Sequence, residues 1–240
     1  MNQDYKTPNY TRRHLLQYGV CIAGTALFTA GITTKFLDKE KQKTLGETAS
    51  CEPKEITREA ALERLMLGNK RFMEHKQKHP NQNRERIAEV SEGQKPFAAI
   101  LGCADSRVAP EIIFDQGLGD IFVVRNAGNV VTSEEVGSLE FGALELGVKT
   151  IIILGHQKCG AVKATMQGNA VPGKIGSIIS AIKPAIKGDQ TWDEAVIANV
   201  KLEIKRLKSS PIIAKLITDE KLNVVGGLYK LETGEVKIIT

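Results

Sequence analysis

"VKTIIILGHQKCGAV", residues 148–162, runs from an apolar block rich in β-branched side chains straight into His156 and Cys159. A run that is apolar at successive positions, rather than at alternate ones, suits a strand covered on both faces, as in a parallel sheet. Two more runs of this kind lie upstream. "FAAIL" (97–101) ends at Gly102, and "IFVV" (121–124) ends at Arg125. A fourth, "NVVGGLYKL" (223–231), turns through "ETGE" into "VKII", which reads as a hairpin.

The segments between these runs carry helical spacing. "ITREAALERLMLGNKRFMEH" puts Ala61, Leu62, Leu65, Met66 and Phe72 on one stripe, with Thr57 as N-cap. "TSEEVGSLEFGALELG" offers a capping box from Thr132 to Glu135 and a stop at Gly147. "TWDEAVIANVKLEIKRLK" repeats the device with Thr191 and Glu194, and places Val196, Val200, Ile204 and Leu207 on one face. Strands alternating with helices predict an α/β fold, a mainly parallel central sheet flanked by helices, with an N-terminal helical arm. In such sheets ligands gather at the carboxyl ends of the strands. Cys103, Asp105 and Arg107 follow the first run, Arg125 and Asn126 end the second, and His156 and Cys159 follow the third.

That convergence has a chemistry. His156-x-x-Cys159 at the start of a helix lets one turn present an imidazole and a thiolate to one point, and the helix N-terminus favours the thiolate. Cys103, arriving from a neighbouring strand, makes a Cys₂His set, a zinc combination that leaves a fourth position for water or substrate unless Asp105 closes it. Two alternatives stand beside this reading: a Cys103–Cys159 disulfide, and a cysteine nucleophile with His156 as its base. Neither gives the Asp105/Arg107 pair a task. In an extended segment, residues two apart point the same way.

"CADSRVAPE", followed about fifty residues later by "GHQKCGAV" and with "FVVRNAGN" between, resembles the β-class carbonic anhydrases, whose signatures are C-x-D-x-R and H-x-x-C. The likeness runs from Glu55 to Tyr229. It implies one Zn²⁺ per chain on Cys103, His156 and Cys159, with Asp105 as the residue that can take the fourth position. Asp105 and Arg107 are then the catalytic dyad. The implied reaction is reversible hydration of CO₂ to bicarbonate and a proton by zinc-bound hydroxide, on a homodimer or higher homo-oligomer. Some relatives with this metal site hydrolyse CS₂ or COS, and a non-enzymatic zinc module on the same fold is a rival of another class. One subgroup holds a regulatory bicarbonate on a Trp–Arg–Tyr trio; Arg125 and Tyr229 match two of these, but Ile100 stands where the Trp would be.

Charge excludes one class of partner. Of the 33 Lys/Arg and 28 Asp/Glu, residues 1–50 hold seven and four, so the remaining 190 residues carry 26 against 24. A nucleic-acid binder concentrates basic charge on its folded part. The N-terminal excess instead surrounds "NYTRRHLLQYGVCIAGTALFTAGITT", where Arg12 and Arg13 precede a mildly apolar stretch. This is similar to a twin-arginine signal, and a membrane anchor is the alternative. Residues 1–50 are therefore expected to be a signal and linker, and 51–240 the zinc domain, exported and periplasmic or anchored facing that side.

Overall fold

A computed structural model describes residues 55–239. The twin-arginine motif, the apolar stretch after it, the linker, Cys21 and Cys51 lie outside them. The strands are β1 (Ala98–Cys103), β2 (Ile121–Asn126), β3 (Thr150–His156), β4 (Asn223–Tyr229) and β5 (Val236–Ile239). They form one sheet in the order β2-β1-β3-β4-β5. The first four are parallel, and only the β4–β5 hairpin is antiparallel. The mainly parallel α/β architecture expected from the apolar runs is the one observed.

Helices α1 (Arg58–Met73), α2 (Arg84–Ser91), α3 (Pro110–Ile113), α4 (Ser133–Leu144), α5 (Gly160–Gln167), α6 (Ile175–Ile182), α7 (Trp192–Lys208) and α8 (Pro211–Thr218) surround the sheet. The alternating faces of the central strands explain why every position is apolar. Ala99, Leu101, Ile151 and Ile153 pack with Leu139 of α4, Val200 and Leu207 of α7 and Ile213 of α8. Ala98, Ile100, Ile152 and Leu154 pack on the other side with Ala61 and Leu65 of α1 and with Ile113 and Phe114. The apolar stripe of α1 thus packs on this chain's own core, fully buried at Ala61 and Leu65 and partly at Leu62, Met66 and Phe72. Asn69 ties the same helix to the hairpin turn: its Nδ2 donates to the Gly234 carbonyl at 2.8 Å, and its Oδ1 accepts from the Val236 amide at 2.8 Å.

The caps read from the sequence are in place. Thr57 Oγ1 accepts from the Ala60 amide at 3.1 Å. Thr132 and Thr191 each start a helix, with Glu135 and Glu194 reaching back to their amides at 3.0 and 2.8 Å. Gly147 turns left-handed after α4 with φ of 73°.

The sheet packs tightly under α7 at Gly155, the residue before His156. A Cβ there would lie 2.6 Å from Val200 Cγ2 and 3.1 Å from Val196 Cγ1. Overpacking of a filled core costs about 1–3 kcal/mol. Gly155→Ala is therefore expected to lower the urea midpoint by a corresponding amount, and an unchanged midpoint would show that α7 yields without cost.

Candidate metal centre

The crevice at the carboxyl ends of β1 and β3 lies where the chain, having placed β2 on one side of β1, crosses over to build the rest of the sheet on the other. Cys103 is the last residue of β1 and His156 the last of β3, while Cys159 is the N-cap of α5. All three are buried, and their ligand atoms lie within 4.8 Å of one another. Cys103 and Cys159 are free thiols, so the disulfide alternative is not realised.

The ring of His156 is oriented for a metal. Its Nδ1 lies 2.8 Å from the Gln157 carbonyl, an acceptor, which assigns the proton to Nδ1 and leaves the lone pair on Nε2. Among the described residues, Nε2 is buried with no hydrogen-bond partner. A buried acceptor left unpaired is costly unless something else occupies it. The two thiols raise the same demand. The neighbouring Cys159 thiol pulls Cys103 down against the effect of burial, with the Gly128 amide acting in the same direction. Cys103, together with burial, pushes Cys159 far up, although the amides of Val162 and Ala161 favour its thiolate. Both thiols must shed their protons to hold a metal ion, and a cation bound there favours both thiolates. Two thiolates and a neutral imidazole fit Zn²⁺.

Asp105 stands at the mouth of this cluster, with Oδ2 3.8 Å from His156 Nε2. Its carboxylate is taken by Arg107 in fork geometry: Nε donates to Oδ1 at 2.9 Å and Nη2 to Oδ2 at 2.8 Å. The Arg107 amide adds a third bond to Oδ1 at 3.0 Å. The Arg107 side chain holds the Asp105 carboxyl well below the usual carboxylate range, with the Arg107 amide acting in the same direction. Arg125 is engaged differently from a free anion-binding guanidinium. Its Nε donates to the Cys103 carbonyl at 2.9 Å and its Nη2 to the Asp105 carbonyl at 2.8 Å, pinning the backbone of the loop that carries both. Ile100 is wholly buried in the core, and Tyr229 is 5% exposed.

Residues that the motifs do not include hold the centre in shape. Trp192 Nε1 donates to the Cys159 carbonyl at 3.0 Å, and Gln157 Nε2 donates to Asp193 at 2.8 Å, which fastens the His156–Cys159 turn to the start of α7. The segment 127–131 is held in turn by Asn126, whose amide exchanges two bonds with Val130. The sequence did carry a signal for part of this. Asn199 and Glu203 interrupt the apolar face that Val196, Val200 and Leu207 define on α7, and both are buried there.

The model of the family described as "Carbonic anhydrase" matches residues 98–236. A carbonic anhydrase of Mycolicibacterium smegmatis is 39% identical over 189 residues, covering 75% of this chain and 92% of that protein. Among solved structures, the β-carbonic anhydrase CcaA aligns with a TM-score of 0.60 at 27% identity, covering 75% of this chain and 91% of that one. A tetrameric β-carbonic anhydrase of Sordaria macrospora aligns at 0.58 and 25% identity, covering 64% and 85%. A match that spans all three ligand-bearing segments, on a sheet that brings them to one point, places this chain in the carbonic anhydrase family, in its β class.

Proposed function

We propose that this chain is a zinc enzyme that hydrates CO₂ to bicarbonate and a proton. The observation that carries the reading is the buried Cys103–His156–Cys159 cluster with an ionised, arginine-clamped carboxylate at its mouth. Cys103, His156 and Cys159 would hold Zn²⁺, which would supply the Lewis acidity that lets water give up a proton near neutral pH. The chain supplies the rest. Asp105, kept ionised, accepts a hydrogen bond from the attacking oxygen and so turns a lone pair toward the carbon of CO₂. Arg107 holds both oxygens of Asp105 and keeps that carboxylate turned away from the metal position. A purely structural metal needs no such orienting acid, which disfavours a non-enzymatic module. Stopped-flow CO₂ hydration on metal-quantified protein is the test. No rate above buffer would overturn the reading, and turnover of COS or CS₂ without CO₂ would reassign the substrate.

The working form is a homo-oligomer, in keeping with the tetrameric Sordaria relative. With the stripe of α1 buried in its own core, contacts between copies fall to surfaces such as the exposed Ile112, Leu118, Phe141 and Leu144.

Residues 1–50 are the signal and linker, and 51–240 the catalytic domain. The support is the Arg12–Arg13 pair ahead of the apolar stretch. Among the described residues no helix is long and apolar enough to cross a membrane. A twin-arginine route exports folded proteins, which suits a zinc site loaded before its thiols meet an oxidising compartment. Replacing Arg12 and Arg13 by Lys is expected to retain the protein in the cytoplasm on fractionation. An unchanged distribution would favour another route or a simple anchor.

A further inference from the structure

The Cys103 sulfur receives one backbone hydrogen bond that the metal-binding motifs do not explain. The Gly128 amide donates to Cys103 Sγ at 3.3 Å. Gly128 has φ of 78° and ψ of 14°, and Asn129 follows with φ of 46°, so two successive left-handed residues aim this N–H at the thiolate. Such a turn costs conformational energy for a non-glycine residue and persists only if its surroundings hold it. Packing does part of that work: a Cβ at Gly128 would meet Ile182 Cδ1 at 2.7 Å and Ala161 Cβ at 3.1 Å. The rest comes from α7. Asn199, 1% exposed, donates from Nδ2 to the Gly128 carbonyl at 2.9 Å. One turn along, Glu203, wholly buried, accepts the Val131 amide on Oε2 at 2.8 Å and Arg206 Nη1 on Oε1 at 2.8 Å.

We infer that Asn199 is a positioning residue for the metal centre: by pinning the Gly128 carbonyl it fixes the turn that points the Gly128 N–H at the Cys103 thiolate. The inference rests on the zinc reading above. An N–H donated to a coordinating sulfur withdraws charge from it, so the bond tunes how strongly Cys103 donates to the metal. Outer partners that orient a ligand in this way are typically worth 10–100-fold in metal affinity or activity. Among the described residues, the hydrogen bond that the Asn199 side chain makes is the one to the Gly128 carbonyl, its Oδ1 having no partner. Its loss therefore reaches the metal only through Gly128.

The test replaces zinc with Co²⁺ and reads the thiolate-to-cobalt charge-transfer band. In Asn199→Leu, matched in branching and heavy-atom count and free of polar atoms, the turn loosens and the sulfur loses its N–H donor. The richer sulfur is expected to move the band to lower energy, and the lost orientation of the ligand loop to appear in competition with a chelator as a roughly ten-fold loss of affinity. Asn199→Asp, which puts an acceptor against the Gly128 carbonyl, is expected to shift the band the same way and serves if the Leu variant does not fold. Leu207→Ala, farther along the same helix and buried in the core away from the site, controls for general loosening and is expected to leave the band in place. A band that stays put in a folded Asn199 variant, or that moves equally in Leu207→Ala, would overturn the assignment. Failure of the unaltered protein to take up cobalt with thiolate charge transfer would instead overturn the metal reading beneath it.

Discussion

His156→Ala protein is expected to emerge from purification without stoichiometric zinc and to hydrate CO₂ no faster than buffer, while keeping its far-ultraviolet dichroism. The size of the effect follows from the ligand count. Structural zinc sites gain roughly 10–16 kcal/mol from four ligands, or about 2.5–4 kcal/mol each, so losing one ligand costs on the order of 100-fold or more in affinity. The geometry adds to that figure. Among the described residues His156 Nε2 is the buried acceptor of the cluster with no hydrogen-bond partner, and its removal leaves the two sulfurs alone to hold the ion. The fold does not depend on the ring, since β3 is held by parallel pairing to both β1 and β4 and by packing of Ile151 to Leu154 on both faces. Cys103→Ser is expected to give the same paired loss of zinc and rate. Zinc content and turnover measured on one sample decide the matter. A variant that loses its metal but hydrates CO₂ at the original rate would sever the site from the activity, and a Cys103–Cys159 disulfide in the purified wild type would restore the rival reading of the thiols.

The sheet was legible because both faces of its central strands are covered, so Ile151 to Leu154 are apolar without alternation and announce a parallel strand. The long helices were legible through their caps, as Thr57, Thr132 and Thr191 show. Helices α2 and α3 were not. α3 spans only Pro110–Ile113 and α2 eight residues with none buried, too little for an apolar period to stand out. The ligands were legible because each ends a strand or caps a helix, where local spacing already fixes direction. Their supports were hidden for the opposite reason. Arg125 lies 22 residues from Cys103 and Asn199 lies 71 from Gly128, and no local pattern encodes a hydrogen bond across such separations. The role offered to Arg125 by resemblance also changes once its partners are known. A guanidinium already bonded to the Cys103 and Asp105 carbonyls, with Ile100 buried in the core and offering no side-chain N–H, has little left for a regulatory bicarbonate.

Arg107→Ala is therefore expected to separate metal binding from catalysis. The arginine contributes three hydrogen bonds to Asp105, one through its amide and two through its side chain, and the variant removes the latter two. Arg107 is half exposed, so losing its side of the pair is expected to lower the melting temperature by roughly 2–4 °C. Zinc should also remain, since all three ligands are intact. What changes is the direction of the carboxylate, 3.8 Å from His156 Nε2 and no longer clamped. Freed, Asp105 is drawn to the cation and closes the position that water needs, so turnover is expected to fall by roughly 100-fold or more, the upper range for a lost orienting partner. Arg107→Lys keeps the charge but not the fork and should fall between the two. The pH profile supplies a further check. The Arg107 clamp holds Asp105 ionised far into acid, so in the unaltered enzyme the acid limb reports protonation of the nucleophile and declines smoothly, with no abrupt loss as pH falls. Full turnover in a zinc-replete Arg107→Ala protein would show that Asp105 needs no keeper, and a crystal structure of the unaltered protein near neutral pH with Asp105 on zinc would reverse the assignment of its two partners.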